Sequence, residues 1–203
     1  WNFKSKHKAL LESHLPGARI QICLNSKEFK DNLPEADAVL VWFFKESWLA
    51  NAPKLKLIAT PAAGKDWISW QPPENLKISF GGFHGQMISE SIIGAMLYFL
   101  KAFSFSKIMQ QNKKWARVKI SNQQQSLYKS RVTILGFGKI GITLGKLLKP
   151  FGCSITGIKR RKITAPDYFG EQDSILTFDE LKFVLPKTDH FVCILPGGEE
   201  TDE

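Results

Sequence analysis

One stretch constrains the fold more than any other: Arg131 to Arg161, RVTILGFGKIGITLGKLLKPFGCSITGIKRR. Val132, Ile134 and Leu135 form a short apolar run of the kind that is buried on both faces in a parallel sheet. Gly136-Phe137-Gly138-Lys139-Ile140-Gly141 follows with G-x-G-x-x-G spacing. Gly136 permits a tight turn, Gly138 lets the backbone approach a pyrophosphate, and Gly141 lets a helix lie close on the strand. The helix begins inside the motif, so its unbonded N–H groups and positive dipole end face the phosphates. Ile142, Leu144, Leu147 and Leu148 give that helix an apolar face, Phe151-Gly152 closes it, and a second strand spans Ser154 to Ile158. A bare glycine motif is a weak signal. Here the preceding strand and the following helix and strand identify a dinucleotide-binding βαβ unit, and a tight turn without ligand is the weaker alternative.

The second strand ends at Lys159, twenty-three residues after Gly136. Where NAD is selected, Asp or Glu near this point binds the ribose 2′-hydroxyl. This chain has Lys159-Arg160-Arg161-Lys162 instead. Four cations suit a 2′-phosphate and leave no acid to repel it, so NADP(H) is expected over NAD(H). A charge-assisted hydrogen bond contributes about 1.5–3 kcal/mol; one or two favour NADP by roughly ten- to a few hundred-fold, less where exposed. A solvated basic turn is the bland alternative.

With 203 residues, 43% hydrophobic and 23% charged, the chain has the composition of a globular protein of one large domain or two small ones. Its longest apolar runs, Ala38–Phe44 and Ile92–Leu100, are too short to span a bilayer, and no targeting segment is apparent. Cys23, Cys153 and Cys193 are scattered and fit neither a zinc site nor a disulfide framework. They read as reduced core residues, so a cytosolic location, no membrane and no metal are expected. The net charge of +9 raises nucleic-acid binding. The lysines are dispersed, however, and no recognition motif accompanies them, so nucleic acid is not expected as a partner. A basic field that draws in phosphate and carboxylate ligands is sufficient. The chain starts at Trp1 without methionine and stops just after a strand, and it reads as a fragment of a longer protein.

Elsewhere, strands alternate with short helices. Helices are expected over Lys8–Leu15 and from a Ser26 cap to Leu33-Pro34, with another over Glu46–Ala50. Strands are expected over Arg19–Leu24, Ala38–Phe44 (buried), Leu55–Thr60 and Leu76–Phe80. That alternation indicates an α/β layer with a parallel sheet. Pro61-Ala62-Ala63-Gly64-Lys65-Asp66 leaves the third strand at its carboxyl end, where ligands gather. Small side chains at Ala62, Ala63 and Gly64 leave N–H groups accessible for a carboxylate nest, and Asp66 reads as a cap for Trp67-Ile68. After a hinge-like Gly81–Gly85 loop, one long helix is expected over Ser89–Lys113. Its first half is apolar nearly all round and suited to burial between layers or subunits. His84 and Glu90 carry no distinctive signal. Gln111 to Lys129 reads as a polar connection. Thr177-Phe178-Asp179-Glu180 has capping-box spacing and opens a helix to Leu185. A buried strand, His190–Leu195, ends at Leu195-Pro196-Gly197-Gly198, a loop placed to hold the adenosine end of a cofactor.

The chain resembles the D-isomer-specific 2-hydroxyacid dehydrogenases over nearly its whole length. Pro53 to Ile58 followed by Ala63-Gly64-Lys65-Asp66 is similar to the family's strand and substrate loop, and Ile88-Ser89-Glu90 to the opening of its interdomain helix. Gln111 to Trp115 is similar to the polar segment that ends in tryptophan. Leu135 to Gly141 is similar to the glycine motif, and Ile194-Leu195-Pro196 to Glu200-Thr201 to the leucine-proline loop. Gly197-Gly198 departs from the usual Leu-Thr there, and a looser cofactor contact is expected.

The resemblance implies a flavodoxin-like substrate lobe over residues 1–82 and an incomplete Rossmann lobe over 83–203. Gly136, Phe137, Gly138, Lys139, Ile140, Gly141, Lys159, Arg160, Arg161, Leu195, Pro196 and Thr201 would line the cofactor. Backbone N–H groups of Ala63 and Gly64 would hold the substrate carboxylate. A homodimer through helix 89–113 is implied too. The activity implied is NAD(P)-dependent reduction of 2-oxo acids such as glyoxylate or hydroxypyruvate. The family's catalytic Arg, Glu and His lie beyond this chain, so no catalytic residue is assigned and the fragment is expected to be inactive. A corepressor-like dinucleotide-sensing module of the same fold is the alternative, because fold alone does not fix function.

Overall fold

The computed structural model describes residues 3–65, 67–161, 163–197 and 201. Asp66, Lys162, Gly198 and Glu200 therefore lie outside the described residues. The chain divides into two compact units, Trp1–Ala62 with Trp67–Phe80 and Ala63–Asp66 with Gly81–Glu203.

In the first unit, α1 (Ser5–His14) and α2 (Ser26–Asn32) precede three short strands, β1 (Ala38–Leu40), β2 (Leu57–Thr60) and β3 (Lys77–Phe80). They form a parallel sheet in sequential order, with Val39 beside Ile58 and Ile58 beside Ile78. Leu33, Phe44, Leu55, Ile58 and Leu76 are its buried apolar centre. No strand forms over Arg19–Leu24, where Arg19, Gln21 and Leu24 are exposed and no sheet neighbour satisfies the backbone. The buried strand expected over Ala38–Phe44 shrinks to three residues. Val41 N–H still reaches Ala59 O at 3.0 Å, but Trp42 and Phe43 then turn outward. Asn25, rather than Ser26, caps α2: its Oδ1 accepts N–H bonds from Lys27 and Glu28 at 3.0 and 2.9 Å.

The second unit opens with α3 (His84–Leu100), α4 (Phe103–Gln111) and α5 (Arg117–Ser121). The single helix expected over Ser89–Lys113 is thus two, bent by 60°. Ala102 at the break is left-handed, φ 51°. The cause is tertiary. Gln125 N–H takes the Leu100 carbonyl at 2.7 Å, and Lys101 Nζ bonds Gln125 O at 2.9 Å. The chain at 125 thereby occupies the Leu100 carbonyl, which would have continued the helix. Nor is the first half of the helix buried all round: Leu100 is covered, whereas Phe99 is 76% exposed. No single helix among the described residues is long and apolar enough to cross a membrane.

A four-stranded parallel sheet follows, ordered β6-β5-β4-β7, from β4 (Arg131–Leu135), β5 (Ser154–Ile158), β6 (Ser174–Leu176) and β7 (His190–Cys193). Helix α6 (Lys139–Leu148) links β4 to β5, and a short α7 (Leu181–Val184) precedes β7. Val132, Ile134, Leu144, Leu148 and Ile155 form the core between α6 and the sheet. The capping box at Thr177 forms, with its N–H on Glu180 Oε2 at 2.8 Å. Strand β6 was not expected, and β7 is a half-exposed edge rather than a buried strand, with Phe191 46% exposed. Its amino end is stapled to β4. Arg131 donates through Nε and an Nη to the Asp189 carboxylate at 3.0 and 2.7 Å, and its N–H adds a third bond at 2.8 Å.

Candidate functional site

Strand order reverses between β4 and β7: β5 and β6 lie on one side of β4 and β7 on the other. In a doubly wound sheet the crevice beyond the carboxyl ends at such a reversal receives the ligand. Three carboxyl ends meet here. Gly136 leaves β4 with φ +92°, and a Cβ on it would collide with the Ile194 carbonyl as the chain leaves β7. Gly136 and Phe137 both donate N–H bonds to Ile158 O, at 3.2 and 3.1 Å, where β5 ends. Gly138 N–H turns back to Gly136 O at 2.8 Å.

The three glycines sit in three different environments. Gly136 takes the left-handed turn. Gly138 faces open space, with nothing within 4 Å of where a Cβ would sit. Gly141 sits where a Cβ would lie 2.9 Å from Gly136 O and 3.2 Å from Ile134, so α6 packs against the strand it follows. The first intrahelical bond runs from Ile142 N–H to Gly138 O, 2.9 Å. The N–H groups of Lys139, Ile140 and Gly141 precede it and point out of the helix start. An open glycine face beside three such donors and a helix dipole fits a diphosphate.

Phe137 takes a different place from its neighbours. Its ring is fully buried in the core, and its N–H is spent on Ile158. Gly157 in β5 makes the burial possible, since a Cβ there would strike the Phe137 ring. Sequence reasoning passed over Gly157, although a glycine inside a strand is a sign of close approach. Helix α6 is held from outside by Tyr168, whose hydroxyl donates to Ile142 O at 2.7 Å above Gly145. Burial, then Asp173 and Asp167, push that phenol well above its ordinary range. The base of β5 is fixed by Asp173, which accepts from Lys149 Nζ and the N–H groups of Ile155 and Gly170, each at 2.7 Å. Burial pushes its carboxyl up, but Lys149 and the two amides outweigh that and hold it low.

Lys159 is part-buried at the end of β5, with Nζ 3.3 Å from Phe137 O. Arg160 and Arg161 beyond it are exposed. Leu195 and Pro196 continue from Ile194, beside Gly136, and Thr201 Oγ1 donates to Pro196 O at 2.6 Å. The cofactor residues named from the sequence thus gather at one sheet end, with Phe137 beneath the surface. Ala63 and Gly64 lie in the loop after β2, Ala63 exposed and Gly64 half-buried, where Ala62 N–H donates to Thr60 Oγ1 at 3.1 Å. A groove of about 610 Å³ between α3 and β7, lined by Met96, Phe99 and Phe191, shares no residue with the glycine turn.

Residues 93–203 match the NAD-binding domain of the D-isomer-specific 2-hydroxyacid dehydrogenases. An uncharacterised protein from the proB 3′ region of Corynebacterium melassecola is 26% identical over 154 residues, 72% of this chain and 48% of that protein. Among solved structures, a D-isomer-specific 2-hydroxyacid dehydrogenase family protein from Aeromonas salmonicida is 24% identical with a TM-score of 0.76, covering 96% of this chain and 61% of that one. An NADPH-dependent glyoxylate/hydroxypyruvate reductase from Sinorhizobium meliloti, solved with NADP and sulfate, gives 21% and 0.76, covering 96% and 60%. An NAD-dependent formate dehydrogenase from Staphylococcus aureus, solved with NAD, gives 19% and 0.62, covering 98% and 61%. At these identities the structures establish the fold. The chain spans about half to three-fifths of the length of these proteins.

Proposed function

The chain belongs to the D-isomer-specific 2-hydroxyacid dehydrogenase family, and on that premise we propose that it carries the dinucleotide site of an NADP-preferring 2-oxo-acid reductase. The observation that carries the reading is the glycine turn, with Gly138 open and the N–H groups of Lys139, Ile140 and Gly141 directed out of the helix start. Those donors hold the diphosphate. Leu195, beside Gly136, and Pro196 after it flank the adenosine. Arg160 and Arg161 meet the 2′-phosphate in an exposed position, which tempers the preference for NADP. The cofactor, when bound, supplies a hydride to C2 of a glyoxylate- or hydroxypyruvate-like acid. Ala63 and Gly64 N–H groups hold that acid's carboxylate. No residue of these 203 is assigned the proton transfer, so this chain alone binds dinucleotide weakly and turns nothing over. The exposed Phe99, Phe103 and Ile108 of α3 and α4 support a homodimer built on that segment, and the three unpaired cysteines support a cytosolic setting.

Titration of the full-length protein with NADPH and NADH, followed by oxidation of each with 2-oxo acids, tests the reading. The expected result is tighter NADPH binding and turnover of a small 2-oxo acid. Tighter NADH binding refutes the NADP preference. Binding without turnover by any 2-oxo acid refutes the reductase and leaves a dinucleotide sensor.

A further inference from the structure

The basic run after β5 has a feature that its sequence does not disclose: its first member faces the protein. Lys159 N–H is fixed in the sheet by Leu176 O at 3.0 Å, and its side chain returns to place Nζ 3.3 Å from Phe137 O. Its two predecessors hold the same residue. Ile158 O accepts the Phe137 N–H at 3.1 Å, and Gly157 leaves the space that the Phe137 ring fills. The last two residues of β5 and the lysine that follows them therefore grip one residue of the turn by its ring, its N–H and its carbonyl.

We infer that Lys159 is a positioning residue for the glycine turn, serving the diphosphate site of either cofactor, and that discrimination by the 2′-phosphate falls to Arg160 and Arg161. This rests on the dinucleotide reading above. Phe137 stands between the two glycines whose peptides set the direction of the helix-start donors. Holding its carbonyl fixes the Phe137–Gly138 peptide, and with it the open face at Gly138. The ammonium also offsets the partial negative charge of that carbonyl beside an anion site. Both effects act on a group common to NADH and NADPH. A hydrogen bond from a charged group is among the stronger ones, and the partly buried setting shields this one from salt more than the exposed arginines.

The test uses the full-length protein and its Lys159→Met, Arg160→Ala and Arg161→Ala variants. Affinities for NADPH and NADH are measured by calorimetry, and amide hydrogen exchange is measured without ligand. Lys159→Met is expected to weaken both cofactors by the same factor, roughly three- to tenfold. It is also expected to speed exchange at the Gly136, Phe137 and Gly138 amides. The arginine variants are expected to weaken NADPH alone and to leave exchange unchanged. Loss of NADPH affinity only in Lys159→Met, with unchanged exchange, overturns the inference and makes Lys159 a 2′-phosphate ligand. Unchanged affinity for both cofactors overturns it as well. Absence of binding of either cofactor by the parent protein would instead refute the dinucleotide reading itself.

Discussion

Gly157 decides more at the residue scale than its place in mid-strand suggests. It lets the Phe137 ring reach full burial, and that burial shapes the turn on which the donors depend. Gly157→Ala is expected to force the ring aside, costing about 1–3 kcal/mol from overpacking. Urea midpoints would measure that loss, and dinucleotide affinity should fall in parallel. A variant as stable as the parent would mean that the ring relocates without consequence. The glycine motif itself was legible because each of its constraints is local. A left-handed φ at Gly136 and the contact of Gly141 with Ile134 are written within eight residues of chain. Gly157 was less legible because its partner lies twenty residues earlier, across the sheet.

At the scale of elements, helix ends and strand staples invite measurement. Helix α4 closes at Lys113, left-handed with φ 52°, while Lys114 N–H reaches back to Met109 O at 2.9 Å. That is a Schellman-type end with lysine where glycine is usual. Lys113→Gly is expected to stabilise the protein by about 1 kcal/mol, read as a higher urea midpoint; a lower one would show that the lysine side chain outweighs its strained backbone. The Arg131–Asp189 staple sets a pH dependence. Side-chain and backbone hydrogen bonds from Arg131 hold the Asp189 carboxyl down at about 2. The folded pKa lies below the unfolded value, so the stabilisation is full above about pH 4 and is lost as pH falls towards 2. Asp189→Asn should therefore lower the urea midpoint at pH 6 and converge with the parent near pH 2. Exposure of both partners keeps the gap small. A gap independent of pH would show that the staple does not titrate as described. The elements misjudged from sequence share one cause. Arg19–Leu24 has strand-like residues but no neighbour to pair with, and β6 is a strand only because Thr156 stands beside Ser174.

Over the whole molecule, charge is unevenly spread. Residues 91–166 carry fifteen of the twenty-eight cations and no acid, so the remainder has thirteen cations against nineteen acids. The glycine turn and the exposed arginines lie inside that positive span. Dinucleotide affinity is expected to fall as ionic strength rises from about 20 to 200 mM, and more steeply for NADPH than for NADH, because the Debye length shrinks across that range. Equal slopes would mean that the 2′-phosphate meets no cation. What the sequence determined by itself is the βαβ unit from Arg131 to Ile158, since strand, turn and helix signals there act between near neighbours. The tertiary structure alone decided the break at Ala102, made by a carbonyl lost to Gln125, and the inward turn of Lys159 onto Phe137. Both are contacts between groups more than twenty residues apart, and a linear pattern carries no record of which distant backbone atom a side chain will meet.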